Sequence, residues 1–141
     1  MRTKILVVDD DPDLLLLLRV TLGAEDYQSL LARNGEDAVR EIQTEDPDLV
    51  LLDIMMPIMD GWQVLRWMTE KGLDTPVIVV SAKASESDVA KALELGATDY
   101  VTKPFDPDEL LQSILAVLDR SPEDRNRRRV ERLAALSAGT A

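Results

Sequence analysis

Reactive or charged side chains follow short apolar runs at several places in this 141-residue chain. Asp9-Asp10 follows Ile5-Leu6-Val7-Val8, Asp53 follows Val50-Leu51-Leu52, Ser81 follows Val79-Val80, and Lys103 stands just beyond Tyr100-Val101. There is no histidine and no cysteine, which excludes imidazole bases, thiolate nucleophiles, disulfides and zinc-thiolate sites, so any metal must sit on oxygen. An acid pair after a strand is commonly a helix cap, and lysines are commonly solvated. A carboxylate directly after Val50-Leu51-Leu52 has no such ordinary use. If Asp9, Asp10 and Asp53 converge, each pair about 4 Å apart repels by roughly 4 kcal/mol at an effective dielectric of 20, so a cation has to compensate. A hard divalent ion such as Mg²⁺ or Mn²⁺ suits oxygen ligands and needs only a few of them. A lysine and a hydroxyl facing the same cavity would then suit the outer oxygens of a phosphoryl group.

The elements that must bring these residues together can be read from the spacing of apolar residues. Runs at 4–8, 27–32, 49–52, 77–80 and 98–101 are bounded by turn residues, and four of them are rich in Val, Ile or Leu, as strands buried on both faces are. Helical periodicity fills the gaps: a first helix opening at Asp11-Pro12 and stopping at Gly23, then 35–44, 61–70, 86–95, and a fifth from Asp106-Pro107 past Leu118. This alternation predicts an α/β fold, a doubly wound five-stranded parallel sheet of order 2-1-3-4-5 with helices on both faces. In that order the first and third strands are neighbours where the winding reverses, and all five candidate residues lie at the carboxyl edge of one sheet. Neither dinucleotide nor nucleotide phosphate-binding glycine motifs occur.

The composition, 45% hydrophobic, is that of one globular domain, and no apolar run reaches membrane-spanning length. The first eight residues lack the features of a signal peptide, which predicts the cytoplasm. The net charge of −11 is uneven. Residues 120–141 hold six arginines against three acids, a net of +3, which leaves −14 for residues 1–119. The boundary therefore falls at 119, with 120–141 as a charged helical tail or linker. Its helix starts at Ser121-Pro122, with Val130, Leu133 and Leu136 as a thin apolar stripe. The acidic domain argues against direct nucleic-acid binding, and the arginine run lacks aromatic residues and reads as a solvated or dimer-flanking helix.

The segments Ile5-Leu6-Val7-Val8-Asp9-Asp10-Asp11-Pro12, Leu51-Leu52-Asp53-Ile54-Met55-Met56-Pro57 through Asp60-Gly61, Val79-Val80-Ser81-Ala82 and Asp99-Tyr100-Val101-Thr102-Lys103-Pro104-Phe105 closely resemble the receiver domain of bacterial two-component response regulators over about residues 3–119. The resemblance implies that Asp53 is the phosphoacceptor. It implies that Asp9, Asp10, Asp53 and the Met55 carbonyl hold Mg²⁺, that Lys103 and Ser81 contact the phosphoryl group, and that Tyr100 is a rotameric switch. It implies a cis Lys103–Pro104 peptide and assigns the tuning of dephosphorylation to Met55 and Lys83. Neither is an obvious base, so a long-lived phosphorylated state is expected. The donor would be a histidine kinase or a histidine phosphotransfer protein, in a signalling role rather than an enzymatic one. The segment Gly96 to Phe105 resembles the transcription-factor branch, which allows a phosphorylation-dependent homodimer through the fourth helix, fifth strand and fifth helix. That branch has a basic residue in the middle of the fifth helix, where this chain has Gln112-Ser113-Ile114-Leu115. The alternatives are the N-terminal part of a larger DNA-binding or enzymatic regulator, and an aspartyl-phosphate phosphohydrolase. The latter class places its nucleophile after the first strand. In the first helix, the 3.6-residue period assigns Leu14, Leu17, Leu18 and Thr21 to the sheet and leaves Leu15 and Leu16 exposed for partner docking.

Overall fold

The computed structural model describes residues 2–139. Five strands, β1 (Lys4–Val8), β2 (Gln28–Ala32), β3 (Leu49–Leu52), β4 (Val77–Ser81) and β5 (Asp99–Thr102), alternate with α1 (Pro12–Ala24), α2 (Gly35–Glu45), α3 (Gly61–Glu70), α4 (Glu86–Glu94) and α5 (Pro107–Leu118); α6 (Pro122–Gly139) follows. The sheet is wholly parallel in the order β2-β1-β3-β4-β5, as predicted.

Alternation along each strand divides the core in two. Leu6, Val8, Val50, Leu52, Val77 and Val79 point to the face covered by α2, α3 and α4. Ile5, Val7, Leu49, Leu51, Ile78 and Val80 point to the face covered by α1 and α5. The helices begin where local chemistry provides an acceptor for their free amides. Asp11, Asn34, Asp60, Ser85 and Asp106 each cap a helix through the side chain, with Pro12 and Pro107 in the first turns of α1 and α5. Asp60 and Gln63 form a reciprocal capping box at α3.

Two expectations are corrected. In α1 the buried leucines are Leu15, Leu18 and Leu22, Leu14 is half-buried, and Leu16 and Leu17 are exposed. Leu15 is therefore a core residue, not a docking residue, while Leu16 is exposed as expected. Five consecutive leucines give no polar contrast from which to phase a helix; Leu22, one turn beyond, sets it. The tail is the second case. Instead of standing apart, α6 packs on α4, with Leu133 and Leu136 half-buried and Val130 exposed off the stripe. Among the described residues no helix is long and apolar enough to cross a membrane.

Candidate functional site

Among the described residues, the buried polar or charged side chains are Asp9, Asp53 and Ser81, and each lies at or just past the carboxyl end of a strand. Backbone hydrogen bonds continue the sheet beyond the strands and hold these residues level. The Asp9 amide donates to the Ala32 carbonyl at 3.0 Å, the Asp53 amide to Val8 at 3.0 Å, and the Lys103 amide to Ser81 at 2.9 Å. The β1–β3 register thus sets Asp53 beside Asp9, and the β4–β5 register, which pairs Ser81 with Thr102, sets Lys103 one residue beyond that pair. The Lys103–Pro104 peptide is cis.

Ligand atoms of Asp9, Asp10 and Asp53 all lie within 4.8 Å of one another. One cation faces them. Lys103 Nζ donates to Asp9 Oδ2 at 2.6 Å and approaches Asp53 Oδ2 at 3.4 Å. Burial pushes the Asp53 carboxyl above its ordinary range; the Lys103 charge offsets part of this and the Asp9 charge adds to it. For Lys103, burial disfavours the ammonium, but Asp9 and Asp53 outweigh it and raise its pKa. Three carboxylates against one ammonium leave the edge short of positive charge. An oxygen-rich, electron-rich donor set of this kind fits a hard divalent cation.

The surrounding residues fix the frame. Asp9 Oδ1 accepts from the Asp11 amide at 2.9 Å, and Asp53 Oδ1 from the Met55 amide at 3.4 Å. Ser81 Oγ accepts from the Lys83 amide at 3.3 Å, and its hydroxyl also hydrogen-bonds with that of Tyr100. Tyr100 is buried and its hydroxyl donates to the Lys83 carbonyl; burial raises its pKa. A cleft of about 730 Å³ opens beside the carboxylates, with Asp10, Met55, Trp62 and Lys83 in its walls. Another, of about 430 Å³, lies on the α1 side against Leu14, Leu17, Lys103 and Phe105.

The candidates Asp9, Asp10, Asp53, Ser81, Lys103, Met55, Lys83 and Tyr100 therefore lie at one edge, while Leu15 does not. Three contributors escaped the sequence reading. A Cβ on Gly61 would stand 2.3 Å from the Asp53 carbonyl oxygen, so only glycine lets α3 start directly behind Asp53. Trp62 follows it and lines the cleft. Asp88, in the first turn of α4, holds the Lys83 ammonium at 3.8 Å. The Asp60-Gly61 pair was visible as a helix start, but a close approach to another strand end has no local signature.

Known proteins match both the sequence and this arrangement. The sequence profile of the response regulator receiver domain matches residues 5–115. Over 121 residues the chain is 42% identical to the alkaline phosphatase synthesis transcriptional regulatory protein PhoP of Bacillus subtilis (strain 168), a match covering 86% of this chain and 50% of that protein. The chain thus spans about half the length of that curated relative. A CheY-like response regulator receiver domain protein from Methanospirillum hungatei JF-1 superposes with a TM-score of 0.81 at 29% identity, covering 91% of this chain and 99% of that one. The BeF3-activated N-terminal receiver domain of Klebsiella pneumoniae RstA does so with a TM-score of 0.79 at 34% identity, covering 84% and 100%. With the profile spanning most of the chain and the acidic edge where such a fold places its site, this protein belongs to the response regulator receiver domain family of two-component signalling.

Proposed function

We propose that this chain is a phosphoacceptor that takes a phosphoryl group onto Asp53 from a phosphohistidine on a partner kinase or phosphotransfer protein. The observation that carries this reading is the gathering of three strand-end carboxylates within 4.8 Å of one another, two of which, Asp9 and the buried Asp53, meet a single lysine. This chain has no histidine, so the donor imidazole belongs to another molecule. An Asp53 carboxylate oxygen attacks phosphorus in line; the new O–P bond forms as the P–N bond breaks and the imidazole leaves. Lys103, already between Asp9 and Asp53, balances charge on the transferred group, and the Ser81 hydroxyl donates to one of its oxygens.

Mg²⁺, or Mn²⁺ in its place, would be held by Asp9, Asp10, Asp53 and the Met55 carbonyl. Bound there it supplies charge neutralisation for the phosphoryl oxygens. Met55 and Lys83 stand at the cleft mouth as tuners of acyl-phosphate lifetime, and neither is a base for water. Tyr100, tied to the Lys83 carbonyl, is the proposed switch. The exposed Leu16 and Leu17 are the α1 surface offered to the donor. The reading places the protein in the cytoplasm, and the identity to a transcriptional regulatory protein favours transcription control as the output, through a phosphorylation-dependent homodimer.

The test is intact-mass spectrometry after incubation with acetyl phosphate and Mg²⁺. Wild type should gain one phosphoryl group and Asp53→Asn none. Equal labelling of both would place the acceptor elsewhere.

A further inference from the structure

One face of α6 reaches two elements that also lead into the carboxyl-edge site. Arg129 donates Nη1 to the Leu93 carbonyl in the last turn of α4 at 2.8 Å. Arg132 donates Nη1 to Asp99 Oδ1, at the first residue of β5, at 2.7 Å. At the corner between α5 and α6, Arg125 Nε is shared between the Val117 and Arg120 carbonyls at 3.1 and 3.2 Å. Arg125, Arg129, Leu133 and Leu136 fall on one helical stripe and are all half-buried, while Arg127 and Arg128 turn outward and pair with Asp124. The helix therefore has a defined inner face, and α4 is what it covers.

Both anchors continue toward the phosphoryl site. Asp99 Oδ1, which takes Arg132, also accepts from the Tyr100 amide at 2.8 Å. The Tyr100 hydroxyl donates to the Lys83 carbonyl, and the Lys83 amide donates to Ser81 Oγ. Four residues along the chain from Asp99, about 13 Å at strand rise, stands Lys103. From the other side, the 82–85 loop leads from Ser81 straight into α4, whose far end Arg129 holds. Lys91 of α4 also stands 4.3 Å from the ring centroid of Trp62 in the cleft wall. Ser81 and Lys103 thus lie on the same elements, β4–α4 and β5, that lead to the contacts of α6.

We propose that α6 is a reversible intramolecular ligand of the α4–β5 edge, and that its docking is thermodynamically linked to occupancy of the phosphoryl site. The anchors favour reversibility: one exposed and one half-buried arginine contact and two half-buried leucines hold the helix, not a deep apolar interface. Linkage is reciprocal, so whatever α6 docking does to affinity at Asp53, ligation at Asp53 does to docking. The proposal rests on the phosphoacceptor reading of Asp53.

The experiment uses the full chain with Mg²⁺ and beryllofluoride as the phosphoryl analogue, following binding by fluorescence of Trp62 in a Trp67→Phe background and α6 docking by hydrogen exchange of the 123–138 amides. Arg132→Glu sets a carboxylate against Asp99, and Arg129→Ala serves as a milder second variant. Each should speed α6 exchange, and Arg132→Glu should change analogue affinity by about fivefold or more, within the usual range of coupling. In wild type the analogue should change α6 exchange with the matching sign: slower if releasing α6 weakens the analogue, faster if it tightens it. Faster α6 exchange with affinity unchanged would overturn the linkage, and unchanged exchange in both variants would overturn the docking surface. Failure of wild type to bind the analogue would strike at the Asp53 reading instead. The same comparison made with Mg²⁺ alone then decides the linkage, an equal Mg²⁺ affinity in Arg132→Glu and wild type overturning it.

Discussion

The Lys103–Asp9 and Arg132–Asp99 ion pairs have almost the same length, 2.6 and 2.7 Å, but they sit in different surroundings. At the carboxyl edge the side chains of Lys103 and Asp9 are 23% and 4% exposed, Asp53 shares the one ammonium, and Asp10 adds a third carboxylate beside them. Under α6 the partners are 42% and 29% exposed, and one arginine meets one aspartate. Distance alone does not say what a pair does. The first lies in a region of unbalanced buried charge, where removing the cation strands carboxylates away from water. The second is balanced and solvated, and its value lies in where it places a helix.

The strongest way to break this contrast is Lys103→Met in metal-free protein. It should cost about 3 kcal/mol in urea denaturation, because Asp9 and Asp53 are left buried without a counter-charge. The raised Lys103 pKa gives the sign: this stabilisation is complete below the ordinary lysine value of 10.5 and is lost as pH rises through the higher folded value.

A smaller effect of opposite sign is expected from Asp53→Asn. The folded carboxyl titrates above its ordinary value of 3.8, so the destabilisation by Asp53 grows as pH rises from 3.8 and is complete above the folded value. Metal-free Asp53→Asn should melt above wild type at neutral pH. The gap should narrow as pH falls toward 3.8, where the wild-type penalty disappears. A gap independent of pH would mean that the charge of Asp53 is not its cause.

The smallest effect belongs to the tail. Arg132→Ala should change unfolding free energy by less than about 1 kcal/mol, and added salt should reduce even that. A loss equal to that of Lys103→Met would erase the distinction between the two regions.

The strands and most of the candidate site were legible because both follow local rules, and the alternation of five strands with helices led to the strand order. Buried strands are continuous apolar runs, and a carboxylate such as Asp53 that ends one has to be at an edge. The phase of α1 was not legible, since Leu14 to Leu18 offers no polar residue to mark the outside. Nor was the seating of α6. Arg129 and Arg132 find partners 36 and 33 residues away, and nothing near them in sequence distinguishes them from the outward Arg127 and Arg128. Gly61 shows the same limitation, because its close approach is to Asp53 on a different element.

The order in which the site residues occur along the chain has its own consequence. Lys103 lies 94 residues after Asp9 and 50 after Asp53, so a chain emerging from the ribosome exposes all three acids long before their lysine exists. Until β5 is made, β1 and β3 can meet only by bringing uncompensated carboxylates together. The final strand thus brings both the sheet's last partner and the cation that lets its edge close, so an early half-assembled edge is discouraged during synthesis.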